Sequence, residues 1–161
     1  MKKENLIATL YFSCIFYCIG ALIIENDVNY PTWYYIGEDK FSTYHSTLEG
    51  LLMKYLFFPL TLSLGLHFYM IFSVKMLPLR LLVISSLLLL ILILCVSIFV
   101  QVPIHHQIQQ NYAQELVEKL VENHRSFRLI PTILWAVVNC WLLNKFLHPR
   151  RGLESHKHAR N

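Results

Sequence analysis

Residues 81–100 read LLVISSLLLLILILCVSIFV. The stretch carries no charge. About 20 residues rising 1.5 Å each cover the roughly 30 Å of a bilayer's hydrocarbon core. The run is continuous rather than alternating, so it predicts a membrane-crossing helix and not a barrel strand. Three more segments of the same kind surround it. The four predicted spans are about 5–24, 51–74, 80–102 and 129–147, within a four-span membrane domain over 1–147. The expected fold is all-α: an antiparallel four-helix transmembrane bundle with a short extracytoplasmic amphipathic helix.

Composition agrees. The chain has 161 residues, of which 55% are hydrophobic and 15% charged. Soluble domains hold about 25% charged residues. Intrinsic disorder is excluded. The first apolar run is too long for a signal-peptide core and ends in Glu25-Asn26-Asp27 with no small-residue cleavage site, so it is expected to stay as the first span. The net charge of +4 comes from basic residues set beside the spans, which is a topology signal rather than a nucleic-acid footprint. Cys14, Cys18, Cys95 and Cys140 all lie in apolar runs and read as small buried hydrophobes.

Nine of the fourteen basic residues flank the ends that include both termini and Lys75 to Arg80; the other five lie on the opposite side. Basic residues favour the cytoplasm, so both termini are expected there. Residues 148–161 are then a disordered, basic cytoplasmic tail. Segments 25–50 and 103–128 face outward.

Those outward segments carry most of the polar chemistry. Tyr30, Trp33, Tyr34 and Tyr35 suit an interfacial belt, and Pro31 and Gly37 predict turns. From about Lys40 a helical pattern begins, with His45 and Glu49 on one face. Tyr112 to Val121 has the period of an amphipathic helix. Glu25, His45, Glu49, His105, His106, His124, Arg125 and Arg128 come from all four span ends on this side. The candidate catalytic set is His45, His105 and His124 as acid–base groups, Glu49 as an orienting carboxylate and Arg125 as an anion or enolate stabiliser. No metal site is expected, because neither HExxH nor paired ExxH spacing occurs. Inside the spans, His67 reads either as a functional ionisable group or as a helix–helix hydrogen-bonding residue. Asn139 reads as an interhelical hydrogen-bond donor.

The chain resembles small four-span bacterial membrane proteins of the anthrone-oxygenase-like kind. The resemblance rests on Tyr30-Pro31 after the first span and on Val102-Pro103-Ile104-His105 after the third. It also rests on Asn123 to Arg128 followed by Ile133-Leu134-Trp135. His106 and His124 stand where the family pattern has Asn and Trp. The resemblance implies a four-helix membrane fold, a bacterial inner-membrane location, and oxygenation of an aromatic, membrane-soluble substrate without a tightly bound cofactor. GxSxG, P-loop and GxGxxG motifs are absent. The leading expectation is therefore a non-catalytic or accessory membrane protein whose partners are the lipid bilayer and a larger membrane protein or a second copy, with no nucleic acid. A membrane enzyme acting on a lipid-soluble substrate, oxygenase-like or acid–base, is the alternative. A small transporter is the second. The residues alone name no cofactor.

Overall fold

A computed structural model of the chain describes residues 3–148. The tail expected at 148–161 lies outside the described residues except for His148, whose backbone N–H closes the last helix on the Asn144 carbonyl. The described residues form four long helices: α1 (Asn5–Tyr35), α2 (Glu38–Ser73), α3 (Leu77–Gln110) and α4 (Gln114–Leu147). All four are long and apolar enough to cross a membrane. Each packs against two others, α1 and α3 both contacting α2 and α4.

The helices outrun the predicted spans, and the excess gathers at one end. The expected amphipathic helix is not a separate cap. It is the first turns of α4, and it buries Val117 and Leu120. Pro31 does not make a turn but sits inside α1. The chain breaks instead at Gly37, whose extended backbone starts α2.

Every helix widens into a π-helical turn at a matching place: Ile24–Asn29, Met53–Phe57, Ser97–Gln101 and His124–Arg128. Pro31, Pro59, Pro103 and Pro131 follow these turns by two or three residues. A helical proline lacks its N–H and clashes with the carbonyl four residues back. A wider turn makes room for the ring and frees that carbonyl. The carbonyl of Tyr55, freed by Pro59, accepts the Tyr17 hydroxyl at 2.8 Å.

Two apolar cores lie on either side of the π-turns. The larger contains Tyr11, Ile15, Leu60, Leu90, Ile93 and Trp135. The smaller holds Tyr30, Trp33, Phe41, Ile108, Val117 and Leu120. The larger core encloses a polar knot. The Nδ1–H of His67 donates to the Ser63 carbonyl at 2.7 Å, so its Nε2 is the acceptor for the Ser86 hydroxyl at 2.8 Å. Ser86 Oγ in turn accepts from Trp135 Nε1 at 2.9 Å and Asn139 Nδ2 at 2.8 Å. All four side chains are fully buried. This network uses both His67 nitrogens and joins α2, α3 and α4.

Candidate functional site

Between the two cores the chain buries polar residues: Glu25 and Asn26 from α1, His45 from α2, Ser97 and Gln101 from α3, His124 and Arg128 from α4. The π-turns place most of them. An extra residue per turn rotates the following face, so side chains that a regular helix would present outward point inward.

A cavity of about 60 Å³ opens in this layer. Its polar wall is Glu25, Tyr30, His45, Gln101, His105 and Arg128, and its floor is leucine-rich. His45 Nε2 lies 3.0 Å from His105 Nδ1. His105 Nε2 lies 3.0 Å from the Tyr30 hydroxyl, which is 3.3 Å from Gln101 Oε1. Four residues from three helices thus form one hydrogen-bonded chain. Trp33 stacks edge-on against both imidazoles at 5.4 Å and holds the rings in place. A second chain orients the carboxyl: the Tyr44 hydroxyl donates to Asn29 Oδ1 at 2.9 Å, and Asn29 Nδ2 donates to Glu25 Oε2 at 2.8 Å.

Four buried polar atoms on this wall have no partner among the described residues: Glu25 Oε1, His45 Nδ1, Gln101 Nε2 and Arg128 Nε. Leaving such atoms unpaired costs about 1–3 kcal/mol each, more for a charged group. Glu25 and Arg128 share the wall, but among the described residues no carboxylate oxygen comes within 4.0 Å of the guanidinium. Bound molecules with hydrogen-bonding groups would relieve all four. Natural buried polar sites are satisfied in that way.

The structure brings together three of the five expected site residues. His45 and His105 are in contact, and Glu49 sits one turn from His45 on the cavity wall with its side chain exposed. His124 is buried elsewhere in the same layer, with Nε2 3.7 Å from Asp27 Oδ2. Arg125 is exposed and off the cavity wall. The guanidinium on the wall is Arg128, three residues on. Tyr30 and Gln101 carry no sequence signal that separates them from an interfacial tyrosine and a span-end polar residue. Among the described residues, no three His, Cys, Asp or Glu side chains group as metal ligands.

These groups lie outside the predicted spans, yet burial dominates their protonation. Burial, helped by the positive charge of His45 and Arg128, pulls His105 down to about 3. Burial and Arg128 pull His124 to about 4, against the opposing pull of Asp27. Burial also lowers His45, against Glu49. Burial pushes the Glu25 carboxyl up, against its Asn29 hydrogen bond and Arg128. The imidazoles are therefore neutral near neutral pH, and the carboxyl holds its proton to higher pH than a free one does.

A stability consequence follows. An unfolded histidine takes a proton near 6.5; these folded ones refuse it until about 4 or 3. Between those limits the unfolded chain binds more protons, so stability rises with pH. Glu25 has the opposite sign, but three histidines outweigh one carboxyl. The thermal midpoint in detergent is expected to hold above about pH 6.5 and to fall progressively toward pH 4. His124→Gln should flatten part of that fall. An unchanged slope in the variant would place the effect on other groups.

Comparison with known proteins finds no matching family model, no similar curated protein and no similar solved structure. The class that fold and site define is an all-α protein with four helices of membrane-crossing length around a buried polar layer.

Proposed function

We propose that the chain is an integral membrane enzyme that moves a proton within a carbonyl-bearing, lipid-soluble substrate. The single observation that carries this reading is the His45–His105–Tyr30 chain with both ends on one cavity.

In one protonation state Tyr30 donates to Gln101, His105 Nε2–H donates to Tyr30, and His45 Nε2–H donates to His105 Nδ1. His45 Nδ1 then holds a free lone pair. A proton taken from substrate by His45 Nδ1 shifts each proton one place along the chain. At the far end the Tyr30 hydroxyl turns from Gln101 to the substrate and gives its proton there, and exchange of the imidazole and hydroxyl protons with solvent resets the chain. One bond to hydrogen breaks and another forms, with no charge left on the protein. Arg128, buried and unpartnered at Nε, is placed to bind the oxyanion that forms between the two steps. The oxygenation implied by the anthrone-oxygenase-like resemblance would begin with the same proton abstraction. An accessory role rests only on missing motifs and gives these unpaired atoms no task.

The placement belongs to the same proposal. The helices run antiparallel through a bacterial inner membrane, termini in the cytoplasm and the polar layer at the outer end. The lysine and arginine count supports the orientation. The two- and three-residue connections between successive helices support the reversals.

The proton returned is not the one removed, so once the relay's N–H and O–H groups have exchanged with D₂O, each turnover carries deuterium into the substrate. Purified protein in phosphatidylcholine nanodiscs, in D₂O with a long-chain β-keto methyl ester, should speed deuterium uptake at the acidic carbon over protein-free nanodiscs. Uptake no faster than that control would sink the reading.

A further inference from the structure

The cavity is too small for a whole lipid-soluble substrate. It measures about 60 Å³, whereas sites enclosing drug-sized ligands span about 300–1,000 Å³. It can take a polar head; the apolar body must lie elsewhere.

A second hollow of about 420 Å³ lies between α1 and α2. Its walls include Phe16, Tyr17, Gly20, Ala21 and Tyr55, and it shares Glu25, Leu52 and Leu56 with the cavity. Apart from the Tyr17 hydroxyl, held on the Tyr55 carbonyl at 2.8 Å, its side chains are apolar until Glu25. Gly20 and Ala21 keep the α1 wall low. A Cβ built on Gly20 meets nothing within 4 Å. The groove thus runs along the predicted first span and ends at the polar wall. Its floor is continuous with that of the cavity through Leu52 and Leu56.

We propose that this groove is the lateral passage by which a chain-bearing substrate reaches the cavity from the bilayer. The apolar body stays between α1 and α2, and the carbonyl head passes Glu25 toward Arg128 and His45. The substrate class is an amphiphile with one long or flat apolar body and a compact carbonyl head. The inference rests on the proposed function for the chemistry of the head, and on the groove alone for the route.

The test fills the groove. Gly20→Trp grows an indole from a position whose Cβ meets nothing within 4 Å, and Gly20→Leu serves if the larger variant does not purify folded. Gly65→Trp is the control, since Gly65 also faces nothing within 4 Å and lines neither hollow. Two readouts are taken in phosphatidylcholine nanodiscs: retention of the radiolabelled long-chain β-keto ester, and deuterium uptake by that ester and by methyl acetoacetate. Gly20→Trp should weaken retention and uptake of the long ester about tenfold or more, as expected when a tail loses its apolar contacts. Methyl acetoacetate uptake and the Gly65→Trp control should stay within about twofold of wild type. Equal loss in both glycine variants, or no loss in Gly20→Trp, would overturn the passage. Retention that depends on Gly20 without any uptake would keep the passage and remove the enzyme. Uptake that ignores Gly20 would do the reverse, and neither retention nor uptake by wild type would remove both.

Discussion

Deuterium uptake should fall about 10²–10⁴-fold in His105→Ala, the range that a positioned acid–base group contributes. His105 is the middle of the relay, bonded at 3.0 Å on each side, so its loss separates His45 from Tyr30. Tyr30→Phe removes only the proton-returning end and should cost less, because His45 can still take a proton. A merely structural His105 would make no such distinction. Added imidazole should restore part of the His105→Ala rate by bridging the gap. The adjacent His106 is exposed, and His106→Ala should leave the rate unchanged. The pH profile separates the two histidines independently. With His105 held to about 3 and His45 also lowered by burial, the neutral relay survives mild acid, and the rate should stay level through pH 6.5 and break only below it. An exposed histidine base would instead lose its rate near its ordinary value of about 6.5. A profile breaking there, or full activity in His105→Ala, would remove the relay.

The largest stability loss is expected from Ser86→Ala. The Ser86 hydroxyl serves His67 Nε2 and Trp135 Nε1 at once, and neither nitrogen has another hydrogen-bond partner among the described residues. Asn139 keeps its bond to the Trp135 carbonyl at 2.8 Å. Alanine therefore leaves two fully buried groups unpaired, at about 1–3 kcal/mol each. Single hydrogen bonds inside membrane proteins average only about 0.6 kcal/mol, because the partners find substitutes. Asn139 Oδ1, 3.2 Å from Ser86 Oγ, and the Tyr11 hydroxyl, 3.4 Å from Asn139 Oδ1, can take over in part, so a total near the lower limit, about 2 kcal/mol, is expected. The measurement is unfolding in detergent with a denaturing surfactant. Ser85→Ala is the internal comparison. Ser85 is exposed and bonds only the Leu81 carbonyl of its own helix, so its loss should be close to neutral. Equal effects at the two serines would show that the knot contributes nothing.

Side by side, Ser85 and Ser86 show where reading the chain stops. Four apolar runs set four long helices, because only a helix satisfies its backbone over such a length. The amphipathic period of Tyr112 to Val121 likewise placed a helix there, and Val117 and Leu120 face the core as that period requires. Those are local properties, carried by each residue's neighbours in the chain. The gathering of polar groups at one end was legible too, since all come from span ends. Which of them meet was not. His105 and His106 are adjacent and chemically identical, and a rotation of about 100° per residue sends one inward and the other outward. Arg125 and Arg128 differ in the same way, across a π-turn whose extra residue no regular period describes. His45 and His105 are sixty residues apart, and their contact depends on the vertical register of α2 against α3. Tyr30 joins them only because α1 continues past Pro31, where the residue order suggested a turn. The order of residues determined the helices and the polar end; packing of four widened helices decided which side chains share a cavity.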